Sequence, residues 1–349
     1  GIDNFRNTAE YVINILGGDT ASQAFAQTPS GFVRAIEAIG SLGIDNFQEL
    51  VALLSQESLC RPLAEAPVEF AQAMWAINSW GIENFQELID ILDKEDICRV
   101  FIVEPEEIVR VIEVMSSLGI DNFLTTIESM NIILSPDVVS QALAEVENPA
   151  HLVWAIERIS SFGIENLQRL IAVLGPESVS QALINNLYTF AVAIERISIS
   201  GLDNFLTVTE EVMDILGQQT IRQAFAEGCT DLVLAIEAIS SLGIDNFQRL
   251  VALLGREAVS QVLIEHLYGF REVIGVISSF GSNNFLSVIE EVMDILGEQA
   301  IRQAFAENPV AFVHAMTIET TSFLGIDNFR NTAEYVINIL GGDTASQAF

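Results

Sequence analysis

Few residues of this 349-residue chain are suited to catalysis, and those few are scattered. The three histidines are His151, His266 and His314. No HExxH motif, His–Cys pair or set of triad partners accompanies them. The glycines are dispersed along the chain and form no phosphate-binding loop. We therefore expect a protein that is not an enzyme and that has no cofactor and no metal site.

The cysteines also give no indication of a metal or redox site. Cys60, Cys98 and Cys229 lack CxxC spacing and are too few for a disulfide framework. We interpret them as small buried hydrophobic residues with free thiols, which fits a reducing, cytoplasmic compartment.

Composition narrows the class of partner. The chain carries 48 acidic and 15 basic residues, a net charge of −33, and Lys94 is its one lysine. Nucleic-acid binding needs many Lys and Arg side chains to displace counterions, so this charge opposes it. The acidity serves solubility or attracts a basic partner. Strictly apolar runs such as 170–174 are far shorter than the roughly 20 residues of a membrane span, so we expect a soluble protein with no membrane partner.

A repeat organises the whole chain. The phrase GIDNF and its close variants begin at Gly1, Gly43, Gly81, Gly119, Gly163, Gly201, Gly243, Gly281 and Gly325. Successive starts lie 38 to 44 residues apart, which is typical of tandem repeat arrays. The predicted repeats are 1–42, 43–80, 81–118, 119–162, 163–200, 201–242, 243–280 and 281–324, followed by a partial ninth at 325–349.

Each repeat is predicted to contain three helices. In residues 43–80, Gly43 suits the left-handed residue that ends a helix, and Asp45 is predicted to N-cap the next helix in a capping box with Gln48. The apolar stripe of this first helix is Phe47, Leu50, Val51 and Leu54.

The other two helices have their own signals. The second is short, and we interpret its recurrent glutamine as a hydrogen-bonding residue between repeats: Gln23, Gln141, Gln181, Gln223, Gln261 and Gln303. The third begins at cap–proline pairs: Thr28-Pro29, Asn148-Pro149 and Asn308-Pro309. Its predicted buried stripe in the first repeat is Phe32, Ala35, Ile36 and Ile39.

Three helices in about 40 residues, with glycine-capped ends and phrases such as NFQRLVALLG, resemble the armadillo and HEAT families of α-solenoids over the whole chain. This resemblance implies an all-α superhelical stack of eight three-helix repeats plus a partial ninth. It also implies a scaffold that binds other proteins, with no catalytic residues. A natural family and a designed array both fit the pattern.

Positions that vary between repeats are the candidates for recognition. On the third helix, the side chains of two rows are predicted to face away from the buried stripe, one row starting at Arg34 and the other at Ala38. If these helices line a concave surface, the candidate partner-binding residues are Arg34, Gln72, Arg110, Trp154, Arg158, Arg196, Glu272 and His314. Arg and Trp are frequent in binding hot spots. Recurrent glutamates beside them are expected to pair with nearby arginines.

Three functions are compatible with this pattern. The leading one is a non-enzymatic scaffold that binds a protein or peptide in a groove lined by third helices. The alternative is self-assembly into a fibre or ring by end-to-end stacking of repeats that lack polar caps. A nucleotide-per-repeat reader is disfavoured by the charge.

The last 25 residues repeat the first 25. Residues 1–25 and 325–349 are identical, GIDNFRNTAEYVINILGGDTASQAF, and they are 324 positions apart. Either the array has a higher-order period of eight repeats, or the same segment was placed at both ends. In both cases we expect residues 325–349 to fold like residues 1–25. The chain begins with neither Met nor a signal sequence, which indicates a processed N-terminus or a segment of a longer protein.

Overall fold

The computed structural model describes residues 2–92, 94–146 and 148–318, and within them the protein is all-α, as predicted. These residues form 23 helices and no strand. They divide into two compact bodies, an N-terminal body of the described residues up to 164 and a C-terminal body of those from 165 to 318.

The helices are short and follow one another closely. In the N-terminal body they are α1 (Ile2–Leu16), α2 (Gly18–Gln27), α3 (Pro29–Leu42), α4 (Ile44–Leu54), α5 (Gln56–Glu65), α6 (Pro67–Trp80), α7 (Ile82–Ile91), α8 (Lys94–Val103), α9 (Pro105–Leu118), α10 (Ile120–Ile133), α11 (Pro136–Ala144) and α12 (Pro149–Phe162). In the C-terminal body they are α13 (Ile164–Leu174), α14 (Pro176–Asn185), α15 (Leu187–Ser200), α16 (Leu202–Leu216), α17 (Gln218–Leu242), α18 (Ile244–Leu254), α19 (Arg256–Glu265), α20 (Leu267–Phe280), α21 (Ser282–Leu296), α22 (Glu298–Glu307) and α23 (Pro309–Ile318).

Corresponding helices pack in rows inside each body. In the N-terminal body the third helices contact one another in the order α3, α6, α9, α12, and the second helices in the order α2, α5, α8. In the C-terminal body α17 contains both the second and the third helix of its repeat, joined across a kink at Gly228. It forms such a series with α20 and α23, and α16, α18 and α21 form another. The predicted third-helix stripe is buried, since Phe32, Ala35, Ile36 and Ile39 are all in the core. The arrangement is consistent with a helical repeat fold.

Single residues separate most successive helices. Gly43 lies between α3 and α4 with φ 92° and ψ 148°, so its φ is positive as predicted, but its ψ lies outside the left-handed helical region. Its N–H donates to the Ile39 carbonyl and its own carbonyl accepts from the Phe47 N–H. One glycine therefore ends one helix and begins the next.

The predicted N-cap at Asp45 is wrong, because Gly43 occupies that position and Asp45 lies inside the first turn of α4. A carboxylate there still interacts favourably with the helix N-terminus. The neighbouring Asn46 has an unexpected role, since its Nδ2 donates to the Leu42 carbonyl at 2.9 Å and so caps the preceding helix. The same bond recurs from Asn84, Asn122 and Asn246.

The predicted role of the second-helix glutamines is also wrong where their bonds are described. Gln181, Gln223, Gln261 and Gln303 each donate to the side chain four residues later on their own helix. Side chains four residues apart on a helix lie on the same face, one turn apart, so each glutamine bonds within its own helix.

Other side chains of the second helix make the bonds between repeats. Cys60 and Cys98 donate from Sγ to the carbonyls of Leu16 and Leu54, at 3.3 and 2.9 Å. In the C-terminal body arginines take this role: Arg256 donates to Leu216, Arg302 to Leu253 and Arg222 to Val173. Each donor meets the last turn of a first helix in an earlier repeat, where carbonyls lack helical partners.

Two expectations from the sequence remain, one on the last 25 residues and one on membrane spans. The expectation for residues 325–349 lies outside the described residues. Among the residues that the structure describes, no helix is both long and apolar enough to cross a membrane.

Candidate binding groove

The candidate groove lies between two neighbouring third helices, α6 and α9. Pro67 and Pro105 begin these helices at the first helical position, where proline loses no hydrogen bond. On α6 the stripe that includes Phe70, Met74 and Ile77 is fully buried. The opposite face of the helix is thereby turned outward.

That outward face forms one side of an open groove of about 780 Å³. We call it the α6–α9 groove and define it by its lining: Gln72, Trp75, Ala76, Ser79 and Trp80 from α6, and Glu106, Val109, Arg110, Ile112, Glu113 and Ser116 from α9. Two of the predicted site residues, Gln72 and Arg110, therefore lie in the same groove. Ligand sites of this volume hold a few side chains or a small molecule.

The electrostatics of the groove are acidic. Arg110 extends into solvent with 68% of its side chain exposed, and its Nη1 donates to Oε1 of Glu107 at 2.5 Å. Glu107 is buried, so the guanidinium offsets a carboxylate that burial would otherwise disfavour. Because Arg110 is matched by Glu107, the carboxylates of Glu106 and Glu113 leave the groove negative.

Trp154 and Arg158 lie together on α12, the next third helix of the N-terminal body. The Arg158 guanidinium carbon is 5.1 Å from the centroid of the Trp154 ring, a cation–π distance. Arg158 also pairs with Glu157 at 3.4 Å. Both side chains are half-buried, so this cluster is partly ordered by its own contacts.

The remaining predicted residues lie elsewhere on third helices. Arg34 is exposed on α3. In the C-terminal body Arg196 on α15 pairs with Glu237 on α17 at 3.4 Å. His314 on α23 lies 3.5 Å from Glu272 on α20. Glu272 and His314 occupy the position of Arg34 in the seventh and eighth repeats, so neighbouring members of that row contact each other here.

Sequence reasoning missed several residues of the groove. Trp75, Ser79 and Trp80 lie on the same face of α6 as Gln72, but none belongs to the two rows that were compared between repeats. Trp75 follows Gln72 by three positions, so a wider helical arc would have included it. Two of the three tryptophans falling within six residues was a further signal.

Reactive groups of the described residues give no second site. All three cysteines are free, and Cys229 is buried, which raises its pKa to about 11. Burial also raises the pKa of Cys60. No group of three or more His, Cys, Asp or Glu able to hold a metal ion is found in the described part of the chain.

Comparisons with known proteins give no indication of function, so a proposal must rest on the groove. No protein-family model, no curated protein and no solved structure matches this chain.

Proposed function

We propose that the protein is a non-enzymatic scaffold of the α-solenoid type that binds a basic peptide or protein segment in the α6–α9 groove. The observation that carries this proposal is the groove itself, an open cleft between consecutive third helices with two tryptophans and an acidic rim. The rows of packed helices within each body support the solenoid part of the proposal.

The aromatic content of the groove supports a protein or peptide as the ligand. Trp75 is 37% exposed although it is a large apolar side chain. Tryptophans that line a cleft and are framed by polar side chains are typical binding hot spots. Gln72, Ser79 and Ser116 supply hydrogen-bonding groups beside them.

Charge supports a basic ligand. A Lys or Arg side chain entering the groove meets the carboxylates of Glu106 and Glu113 and the face of an indole ring. The net charge of −33 attracts such a segment from a distance and repels polyanions. Trp154 and Arg158 supply secondary contacts on the adjoining helix.

A random peptide library displayed on phage and selected on the full chain tests this function. The peptides recovered should be enriched in Lys and Arg. Trp75→Ala should weaken a selected peptide by about 30-fold or more, as expected for a hot-spot residue. Tyr268→Ala is the matched control, because Tyr268 is an exposed aromatic residue outside the groove lining. It should leave the affinity unchanged.

A charge-matched pair of variants separates the groove from nonspecific attraction. The double variant Glu106→Gln/Glu113→Gln should lower affinity for the basic peptide by about tenfold. The control Glu83→Gln/Glu87→Gln removes two exposed charges of α7 outside the groove lining and should change affinity little. Equal losses of peptide affinity in both double variants, or wild-type affinity of Trp75→Ala, would rule out the α6–α9 groove as the binding site.

Self-assembly is the second candidate function. It is favoured by three exposed apolar side chains on the first three helices, Ile13, Phe25 and Val33.

A further inference from the structure

The α9 side of the α6–α9 groove carries two carboxylates in one line. Glu106 and Glu113 both line the groove, and both side chains are exposed. They are seven positions apart, close to two helical turns, so they project from the same face of α9 about 10 Å apart along its axis. Neither side chain has an ion-pair or hydrogen-bond partner among the residues that the structure describes. Both carboxylates are therefore available to a ligand.

The stretch of α9 between these carboxylates is apolar except for one positive charge. Val109 and Ile112 line the groove there. Arg110 lies in the same stretch, with its side chain 68% exposed and its ion-pair partner Glu107 buried. The pair is neutral as a whole, but Arg110 belongs to the groove lining and Glu107 does not. The charges that face the groove along α9 are therefore negative, positive and negative.

Trp75 of α6 lies opposite Glu113 of α9. Each is the ninth residue of its helix, and the two helices pack against each other. The axes of packed helices are about 8–10 Å apart, so a cation in the groove reaches the indole face and the carboxylate together. The ninth residue of the other third helices in this body, α3 and α12, is also a glutamate: Glu37 and Glu157. Trp75 therefore adds an aromatic surface to a row of acidic residues.

We propose that the occupant of the α6–α9 groove is an extended peptide segment with two basic side chains three positions apart and no basic side chain between them. This inference rests on the proposed function and specifies its ligand. In a polyproline II segment, residues three apart lie on the same side and about 9 Å apart, which matches the spacing of Glu106 and Glu113. A cation between them would meet the Arg110 guanidinium. The groove therefore selects the spacing of two charges and not the total charge.

Two peptides of identical composition test the spacing. Arg-Pro-Pro-Arg and Arg-Arg-Pro-Pro, each acetylated and amidated, carry the same charge and differ in the separation of their arginines. Titration of the chain labelled with 5-fluorotryptophan, followed by the fluorine NMR signal of Trp75, gives both dissociation constants. Arg-Pro-Pro-Arg should bind about three to five times more tightly, because only its arginines reach both carboxylates.

Two small molecules of equal length test the charge pattern without a peptide. The amines of 1,7-diaminoheptane are about 10 Å apart when the chain is extended. Norspermidine has the same length, with a third protonated amine in place of the middle methylene. At slightly acidic pH, 1,7-diaminoheptane should bind about threefold more tightly, because its uncharged middle avoids Arg110. Nonspecific attraction to the net charge of −33 predicts the opposite order, since norspermidine carries one more positive charge.

Variants assign each effect to a side chain. Glu107→Gln/Arg110→Gln keeps the net charge and leaves no buried carboxylate unpaired, and it should reverse the order of the two amines. Glu106→Gln should weaken 1,7-diaminoheptane about threefold and leave heptylamine, which has one amine, nearly unchanged. The control Glu83→Gln removes an exposed carboxylate outside the groove lining and should alter neither affinity.

The outcomes separate this inference from the proposed function. Equal affinity of the two peptides, with the Trp75 signal shifted by both, overturns the spacing rule and leaves peptide binding in the groove standing. A Trp75 signal that neither peptide shifts overturns both. Tighter binding of norspermidine than of 1,7-diaminoheptane to the wild type also overturns the inference, whether or not the double variant folds.

Discussion

At the scale of single residues, side chains that recur between repeats mainly hold helix ends. Asn46 and its counterparts bond the carbonyl of the preceding helix. Cys98 and Arg302, at the fifth position of their second helices, both donate to carbonyls near the end of an earlier first helix. An arginine in such a place is structural, so the few basic residues of this acidic chain are not all free to contact a partner.

Cys229 gives a prediction of pH dependence at this scale. Burial raises its pKa from 9.0 to about 11, so the folded protein holds the thiol proton more tightly than the unfolded chain. The resulting stabilisation is complete below pH 9 and is lost as the pH rises from 9 through 11. The free energy of unfolding should fall by about 1.4 kcal/mol per pH unit in that window from this group alone.

Denaturant unfolding of the wild type and of Cys229→Ala at both ends of that window measures the effect. The difference between the two proteins should shrink as the pH rises. Alkylation by iodoacetamide provides a second readout, because the thiolate is the reacting form. A Cys229 that alkylates as fast in the folded as in the unfolded protein at pH 9 would contradict the assignment.

At the scale of helices, local signals predicted much of the fold and failed where one residue serves two helices. Proline at the first helical position marked the start of α3, α12 and α23 because its effect is local. Asp45 was misassigned because the break between α3 and α4 is a single glycine, which leaves the aspartate inside the helix. The α6–α9 groove was missed in part because its shape depends on the packing of two helices.

Ser55 carries a stability prediction at this scale. It replaces the usual glycine between helices and has φ 91° and ψ 154°, a region almost restricted to glycine. Ser55→Gly removes two hydrogen bonds, the long one from the Ser58 N–H to the Ser55 hydroxyl and the one between the Ser55 and Ser58 hydroxyls at 2.9 Å. Because the relieved backbone strain is worth about 1–3 kcal/mol, the free energy of unfolding should still rise, by up to about 1 kcal/mol. Thermal unfolding followed by circular dichroism measures the change.

The reverse substitution is the control. Gly297 has φ 89°, and a Cβ added there meets no atom within 4 Å, so Gly297→Ser isolates the backbone effect. It should lower the melting temperature. A destabilised Ser55→Gly protein would show that the serine hydroxyl contributes more than its backbone strain costs.

At the scale of the whole molecule, binding and packing use different faces of the third helices. The α6–α9 groove uses the outward face, whose residues differ between repeats, whereas the buried stripes that pack the helices together stay apolar. Substitutions in the groove should therefore weaken peptide binding without unfolding the protein.

Fluorine NMR of the chain labelled with 5-fluorotryptophan tests whether a peptide binds in the α6–α9 groove. The protein has three tryptophans, so each can be assigned by substitution: Trp75, Trp80 and Trp154. Titration with a selected arginine-containing peptide should shift the signals of Trp75 and Trp80 most, since both line the groove, and that of Trp154 less, since it stacks on Arg158. The citrulline version of the peptide, which has the same shape without the charge, should bind about tenfold more weakly. A bound peptide that leaves the Trp75 and Trp80 signals unmoved would contradict the account.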